Sequence, residues 1–464
     1  MKKYFWVLLS LNTIIFSAQN RDNSIEKLEH RLDSLINKTM KSEHIPGASF
    51  IIVKNNKTLL KKGYGFTSLG QNANYIHPDS TIFRIGSITK TFTAFALLQE
   101  LERKKIKVTD DISKYLLSVK IPDTFSEPIT FHHLLTHSAG FDEIGGRRIF
   151  QENLQIPLAV FLNSNLVRIR KPGIISAYSS YGIAVAGQLV EDLSGLSLED
   201  YMRKNIWSLL EMKKTSINLP ENDRNYLSLG YEMYNGINLP QPWEWYHTFP
   251  ASSINSTVSD MGNYIKMLLN NGNYKGKQIL SKRNVLKMQS QQLSIQPEVF
   301  GFAYGFYEKH QFRLKVYNHG GDMLGYSSLL TLVPEINLGI YIVHHHESTS
   351  LRKKVMELVL EYFGKKNIIQ PNPKRIYKDV SKFAGSYKWM SECYTCSNNK
   401  KVKKYQLVKS NNNTLSGFGR KFYQVKPLVF KSFDGKRIMG FLANKKGEIK
   451  YMSLGNVNSF EKIE

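Results

Sequence analysis

A serine and a lysine stand three residues apart at the start of an apolar segment, Phe83 to Leu98. Residues at positions i and i+3 of a helix share a face, with Cβ atoms roughly 5–6 Å apart. Ser87 and Lys90 are therefore predicted to lie side by side. Burial lowers the pKa of a lysine, and a neutral amine can take the proton of a serine hydroxyl. The pair predicts a nucleophilic serine with a lysine base, although Ser-x-x-Lys also occurs on polar helix faces without chemistry.

Acyl transfer at a serine also needs a second proton-transfer group, backbone donors for the oxyanion and a strand beside the acyl group. Tyr178 follows a Pro-Gly turn and precedes a helix rich in small residues, and its phenol is a candidate for moving the proton. His319 precedes Gly320-Gly321-Asp322, which runs into a strand-like segment. Glycines in such a strand let a substrate backbone approach closely.

In order and spacing, these blocks resemble the serine β-lactamase and penicillin-binding protein superfamily, in its class C β-lactamase, D,D-peptidase and esterase-like branch. The resemblance covers about residues 25–365. Its further blocks are Leu134–Gly140, Tyr178-Ser179-Ser180 where the family has Tyr-x-Asn, His319-Gly320-Gly321 where the family has Lys-Thr-Gly or His-x-Gly, and Phe249–Asp260, in which Ser252 and Ser253 replace two glycines.

The resemblance implies roles for these residues. Ser87 attacks the substrate, and Lys90 and Tyr178 exchange the proton. The oxyanion hole combines the backbone N–H of Ser87 with an N–H just after Gly321, that of Asp322.

Two positions depart from the family pattern. Ser180 stands where an asparagine amide usually binds the substrate carbonyl and the catalytic lysine. His319, expected on the strand that lines the acyl pocket, stands where β-lactamases usually carry lysine, and histidine is only partly cationic at neutral pH. Both changes leave room for an esterase or a peptidase.

Three classes of function stay open. The first is a serine hydrolase without a cofactor that acts on amide or ester substrates: a D,D-peptidase, D-aminopeptidase, esterase or β-lactamase. The second is a catalytically weak protein that binds penicillin or wall peptide, and the third is a scaffold of the same fold. The presence of Ser87, Lys90 and Tyr178 together favours the first class.

Several histidines invite other interpretations. In the run His344-His345-His346, neighbouring strand side chains point to opposite faces, so at most His344 and His346 could converge. No metal site is predicted there, because no His-Glu-x-x-His pattern accompanies the run. The resemblance places this corner at the border of the active site, which makes His346 a candidate contact to an anionic substrate group. The histidines near Leu134 are interpreted as hydrogen-bonded packing; they are His132, His133 and His137.

The order of elements predicts an α+β fold. A β-lactamase/transpeptidase-like domain is expected over residues 22–366, with an antiparallel sheet flanked by helices that joins early and late strands. Apolar residues at helical spacing between Ile25 and Met40 predict a first helix. The predicted strands are Ala48–Val53, Thr58–Tyr64, Lys315–Asn318, Ser327–Val333 and Gly339–Val343, and a last helix is expected at Leu351–Phe363.

A second domain is expected after a proline-containing linker at residues 367–375. Short alternating segments within residues 376–464 predict a small antiparallel β-barrel, which resembles the lipocalin-like domain appended to some members of the superfamily. The segments are Lys404–Val408, Val425–Phe433, Ile438–Leu442 and Ile449–Leu454. The two cysteines of the chain, Cys393 and Cys396, are expected to form a local disulfide in an oxidising compartment, whereas a zinc site would need two more ligands.

The N-terminus predicts export. Lys2-Lys3, the apolar run Tyr4–Phe16 and Ser17-Ala18 are typical of a signal peptide, residues 1–18, and of a periplasmic or secreted protein. A retained anchor is the alternative, because Phe16 occupies a position that usually holds a small side chain.

The net charge of +25 over 464 residues favours anionic partners, such as cell-wall polymers or a membrane surface, beside a small-molecule or peptide-like substrate. Nucleic acid is not expected, since no binding motif accompanies the charge. A lysine-rich solvated surface explains the same charge without any partner.

Overall fold

The computed structural model describes residues 24–364, 379–396, 404–410, 413–455 and 458–463, apart from residues 72 and 146. The predicted signal peptide and linker lie outside the described residues. The helices are α1 (24–42), α2 (Thr89–Arg103), α3 (Phe131–Leu135), α4 (Leu158–Asn165), α5 (Ser180–Ser194), α6 (Leu198–Met202), α7 (Val258–Leu269), α8 (Lys282–Met288) and α9 (Ser350–Phe363).

A six-stranded antiparallel sheet runs through the N-terminal part of the described chain. Its strands are β1 (Gly47–Lys54), β2 (Lys57–Gly65), β11 (Tyr307–Gln311), β12 (Leu314–Met323), β13 (Tyr326–Val333) and β14 (Leu338–His344). They lie in the order β11-β12-β13-β14-β1-β2. The early hairpin joins the late strands through the pairing of β1 with β14, in which Ile51 lies opposite Tyr341. The predicted sheet of early and late strands is confirmed.

The sheet separates two apolar cores, because successive side chains of a strand point to opposite faces. On one face, Phe50 and Ile52 pack with the apolar stripe of α1, which includes Leu28 and Leu32, and with α9. On the other face, Ile51 and its neighbours pack against α2, α5 and α7. Residues 83–103 therefore lie between the sheet and further helices, which is why most side chains of the helix α2 are buried.

Four short strand pairs connect the helical region. They are β3 (Phe83–Arg84) with β8 (Asn255–Ser256), β4 (Arg148–Ile149) with β7 (Trp245–Tyr246), β5 (Tyr231–Tyr234) with β6 (Ile237–Pro240), and β9 (Asn273–Tyr274) with β10 (Lys277–Gln278). In the part of the chain that the structure describes, no helix combines the length and the apolar character needed to span a bilayer.

The C-terminal strands close into an eight-stranded antiparallel barrel, which confirms the predicted β-barrel. They are β15 (Gly385–Trp389), β16 (Lys404–Ser410), β17 (Thr414–Gly417), β18 (Arg420–Lys426), β19 (Val429–Ser432), β20 (Ile438–Ala443), β21 (Ile449–Leu454) and β22 (Ser459–Lys462). The predicted segment Val425–Phe433 is divided into two strands. The break contains Pro427, which has no backbone N–H for a ladder hydrogen bond.

The barrel packs on the domain that carries Ser87. Met390, at the end of β15, contacts Ile175 and Ala177 in the segment that leads to α5. The loop after Met390 holds a disulfide between Cys393 and Cys396, with a Cα–Cα distance of 5.6 Å.

We expect both cysteines to react with an alkylating reagent only after reduction, because the two thiols are joined. Intact mass spectrometry of the protein, treated with and without reductant and unfolded in both cases, measures the uptake. Alkylation of the unfolded and unreduced protein would show that the disulfide does not form.

Candidate active site

Ser87 lies in a 3₁₀ turn, Gly86–Ile88, that leads directly into α2. The Lys90 Nζ atom donates hydrogen bonds to Ser87 Oγ at 3.1 Å and to the carbonyl oxygen of Ala251 at 2.8 Å. Ser87 is half-buried, whereas Lys90 is 1% exposed. Loss of hydration disfavours the charged amine, so burial lowers the pKa of Lys90 to about 7. A large fraction of the amine is therefore neutral at neutral pH, beside a serine that a substrate can reach.

The proton on His319 can be assigned from its partners. His319 Nδ1 lies 2.6 Å from the carbonyl oxygen of Gly305, which only accepts, so Nδ1 carries the proton. Burial lowers the pKa of His319 to about 3, so the ring is neutral and Nε2 keeps a free lone pair. The Tyr178 hydroxyl therefore donates to His319 Nε2, at 3.1 Å. Burial raises the pKa of Tyr178, which keeps the phenol protonated at neutral pH.

Local structure fixes the position of Tyr178. The next residue, Ser179, caps α5, and its Oγ accepts from the N–H of Gly182 at 3.0 Å. The Ser179 N–H donates to His137 Nδ1 at 3.1 Å, and the rings of His137 and Tyr178 are 4.7 Å apart. Lys90 Nζ lies 4.8 Å from the centre of the Tyr178 ring. The phenol is thus held between the amine and an imidazole that the sequence indicated only as packing.

The strand β12 brings backbone donors to Ser87. The N–H of Gly320 donates to the Tyr307 hydroxyl at 3.0 Å, on the edge of β12 away from β13. Alternate N–H groups of a strand point to the same edge, so the Asp322 N–H points there too. A Cβ atom on Gly86 would stand 2.9 Å from Asp322 N, so this edge lies against the turn that carries Ser87. This arrangement can present the N–H groups of Ser87 and Asp322 to one oxyanion, as the resemblance implies.

Two glycines permit this approach. A Cβ on Gly321 would stand 1.9 Å from the carbonyl oxygen of Ile85, a distance that no side chain can occupy. Gly86 has a φ of 55°, in the left-handed region that favours glycine. The sequence analysis assigned these glycines to the approach of a substrate backbone, whereas the backbone that the structure places against Gly321 is that of Ile85, in the turn that carries Ser87.

Arg352 of α9 holds the same strand from behind, and sequence reasoning missed it. Its guanidinium donates to the carbonyl oxygens of Gly321 at 2.9 Å and Ser328 at 2.6 Å, and to Asp322 Oδ2 at 2.9 Å. The Asp322 side chain therefore points toward Arg352 while its N–H faces Ser87. No local motif could have indicated Arg352, because its partners come from strands that only the folded sheet brings to it.

A second missed pair lies between the barrel and α5. Glu143 Oε2 is 2.6 Å from Arg147 Nη1, and Glu143 Oε1 accepts from the backbone N–H of Tyr181 at 3.3 Å. The Glu143 side chain is 8% exposed. The i and i+4 spacing of an acid and a base was the available signal, but it is common on surfaces and indicates no burial.

The remaining predicted residues lie as follows. Ser180 is the first residue of α5, half-buried, two residues beyond Tyr178. His346 Nδ1 accepts from the N–H of Ser348 at 3.2 Å, and none of the contacts made within the described residues joins His346 to Ser87 or His319. The structure does not bring His346 to the other site residues.

Two further histidines support local structure. His132 Nδ1 lies 2.9 Å from the Tyr304 hydroxyl, and His133 completes the capping box of α3. Within the described ranges, no group of three or more histidine, cysteine, aspartate or glutamate residues is placed to hold a metal ion.

The sheet with its helices on both faces, and the Ser87 turn beside Lys90 and Tyr178, have the architecture of the serine hydrolase superfamily that includes β-lactamases and penicillin-binding proteins. A family model described as Beta-lactamase matches residues 32–361, so the chain belongs to the Beta-lactamase family.

Individual relatives are distant. Protein flp of Staphylococcus aureus (strain N315) is 25% identical over 367 residues, which are 78% of this chain and 70% of that protein. A solved structure described as an octameric penicillin-binding protein homologue from Pyrococcus abyssi aligns with a TM-score of 0.63 and 23% identity, over 93% of this chain and 99% of that chain. The crystal structure of SurE aligns with a TM-score of 0.66 and 15% identity, over 95% of this chain and 100% of that chain. At these identities the two solved structures establish the fold alone.

We expect Gly86→Ala to lower the rate of covalent labelling at Ser87 by about 10²-fold, the usual cost of losing one oxyanion donor. The new Cβ would displace Asp322 N, and the φ of residue 86 would be strained. A fluorophosphonate probe measures the rate.

The matched control is Gly435→Ala. Gly435 has a φ of 68° in a barrel turn, with nothing within 4 Å of an added Cβ, so it carries similar strain without the contact. Equal labelling rates in the two variants would contradict the role of the strand edge.

Proposed function

We propose that the protein is a serine hydrolase that forms an acyl-enzyme on Ser87 with amide or ester substrates. One observation carries this proposal: a half-buried hydroxyl lies 3.1 Å from an amine that burial makes neutral near pH 7. A neutral amine beside a reachable hydroxyl is the combination that nucleophilic catalysis requires.

Acylation proceeds in three proton and bond changes. Lys90 takes the Ser87 proton as Oγ bonds to the substrate carbonyl carbon. The oxyanion that forms accepts hydrogen bonds from the backbone N–H groups of Ser87 and Asp322. The carbon–nitrogen or carbon–oxygen bond to the leaving group then breaks. The Tyr178 hydroxyl gives its proton to the leaving atom and regains one from Lys90, while His319 Nε2 orients the phenol.

Deacylation follows the same path in reverse. Water takes the place of the leaving group, gives a proton to the Lys90 and Tyr178 pair, and attacks the acyl carbon. Ser87 recovers its proton as the acid product leaves.

The neutral ring of His319 indicates the substrate class. A cation on this strand could bind the carboxylate of a β-lactam, whereas an imidazole with a pKa of about 3 supplies no positive charge. Esters and amides that need no carboxylate anchor are therefore the favoured substrates. A weak penicillin-binding or wall-peptide-binding protein is the second candidate, favoured by Ser180 in the place of the amide.

We further propose that the protein is exported and that its charge serves contact with an anionic surface. Residues 376–464, about a fifth of the chain, contribute +12 of the net +25, so the positive charge per residue is higher in the barrel region than in the rest of the molecule. Salt-sensitive retention of the purified protein on anionic vesicles tests the contact. The N-terminal residue of the protein recovered from the producing cell tests cleavage near Ala18.

The decisive experiment traps the adduct and then measures turnover. A fluorophosphonate or a fluorescent penicillin labels the intact protein, and peptide mapping locates the adduct; Ser87→Ala serves as the control. Nitrocefin, short-chain p-nitrophenyl esters and D-amino-acid peptides are then screened. Steady turnover supports a hydrolase, whereas labelling without turnover supports the penicillin-binding alternative.

We expect the labelling rate at Ser87 to rise with pH through a midpoint near 7. Lys90 accepts the serine proton only when it is neutral, and its pKa is lowered to about 7 from the ordinary value of 10.5. The rate is therefore low below the midpoint and reaches a plateau above it. Labelling measured between pH 5 and 9 checks this; a rate that keeps rising up to pH 9 would show that another group, or a solvated lysine, controls the reaction.

A further inference from the structure

The start of α5 is held by an ion pair between Glu143, whose side chain is largely buried, and Arg147, whose side chain is 30% exposed, and the proposed reaction does not yet use these charges. Glu143 Oε1 accepts a hydrogen bond from the N–H of Tyr181, and Glu143 Oε2 forms an ion pair with Arg147 Nη1 at 2.6 Å. The guanidinium of Arg147 in turn lies 5.9 Å from the centre of the Tyr181 ring. Both charged residues therefore contact the same short segment, Tyr178 to Tyr181, which carries the phenol of the site.

The same segment lacks a side chain that the resemblance would place there. Ser180 has a hydroxyl where related proteins have an amide that binds the catalytic lysine. We propose that Glu143 and Arg147 are positioning residues for the reaction at Ser87: an ion pair that holds the Tyr178–Tyr181 segment beside Lys90 and controls the charge on its amine, in place of the amide that Ser180 lacks. This inference rests on the proposed function of Ser87.

The two charges act on Lys90 in opposite directions. The carboxylate of Glu143 favours the ammonium form of Lys90, and the guanidinium of Arg147 disfavours it. The other titratable groups that face the amine come from three further elements. They are His137, Tyr178 and His319, and none of them carries a charge at neutral pH: burial lowers the pKa of both histidines and raises that of the tyrosine. Glu143 titrates as well: burial raises the pKa of its carboxyl group, and Arg147 and the N–H of Tyr181 act against that rise. Among the described residues that face the amine, the ion pair is thus the source of charge.

The barrel fixes the position of the pair. Asp142, the residue before Glu143, is buried and accepts from the N–H groups of Tyr394 at 2.7 Å and Thr395 at 2.9 Å, and from Thr395 Oγ1 at 2.7 Å. These donors lie in the loop closed by the disulfide of Cys393. The backbone around Glu143 is therefore anchored by the second domain, and the experiment uses the full chain.

The test measures the pH midpoint of fluorophosphonate labelling. Glu143→Gln leaves the guanidinium unopposed, so Lys90 becomes neutral at lower pH and the midpoint falls by about one pH unit. Glu143→Gln combined with Arg147→Met removes both charges and returns the midpoint toward the wild-type value. If Glu143 only supported the fold, removing the Arg147 charge as well would not restore the pH midpoint.

The matched control combines Glu143→Gln with Arg148→Met. Arg148 is the neighbouring cation, but its partner is Glu244, at 3.3 Å, so this combination is expected to keep the lowered midpoint. If Glu143→Gln does not fold, Glu143→Asp keeps the charge on a shorter side chain, farther from Lys90, and its midpoint is expected to fall by less. Circular dichroism of each variant establishes that it is folded.

The outcomes separate the two proposals. If the Ser87→Ala variant forms the same adduct as the wild-type protein, the proposed function itself is overturned. With labelling confined to Ser87, an unchanged or raised midpoint in the folded Glu143 variants overturns only the role of the pair. Equal midpoints in the two double variants would overturn it as well, because the restoring effect would then not depend on which arginine is lost.

Discussion

The amine of Lys90 has two hydrogen-bond partners among the described residues, Ser87 Oγ and the carbonyl oxygen of Ala251. An ammonium group has three N–H donors, whereas a neutral amine has two donors and one lone pair. In the neutral form, one N–H binds Ala251 and the lone pair accepts the proton of Ser87. In the charged form, Lys90 has three N–H donors for these two acceptors. Burial keeps bulk water away from the donor that is left over. The count of partners and the loss of hydration therefore favour the same state, the one in which lysine is a base.

The segment that supplies Ala251 is held by the polar residues of α2. Thr93 Oγ1 donates to the carbonyl oxygen of Pro250 at 2.6 Å, and Thr89 Oγ1 accepts from the N–H of Ile254 at 3.1 Å. Buried hydroxyls are stable only where they are hydrogen-bonded, and these hydroxyls bind the backbone on both sides of Ala251. The threonines of α2 thus hold the backbone segment whose Ala251 carbonyl oxygen binds Lys90. This explains how a helix enclosed on nearly all sides can contain so many polar side chains.

Local sequence patterns predicted the central elements well because their signals lie within a few residues. The i and i+3 spacing of Ser87 and Lys90, the strand patterns of β1 and β14, and the alternation in the barrel each depend on neighbouring positions. Glu143 and Arg352 were not predicted, since each acts on atoms that are distant in sequence and that only the folded sheet and barrel bring near. The position of His346 was inferred from the resemblance alone, and the contacts of its ring lie elsewhere.

The neutrality of His319 bears on the state of Lys90. A lysine at position 319 would place a second ammonium near the amine, and like charges lower the pKa of both. An imidazole with its proton fixed on Nδ1 by Gly305 adds no such charge, so burial and the Glu143–Arg147 pair together determine the charge on Lys90. The same imidazole accepts a hydrogen bond from the Tyr178 hydroxyl through Nε2, so it orients the phenol without removing its proton. A neutral acceptor in place of a cation therefore offers no charge to a substrate carboxylate, while it leaves intact the proposed proton path from the serine to the leaving group.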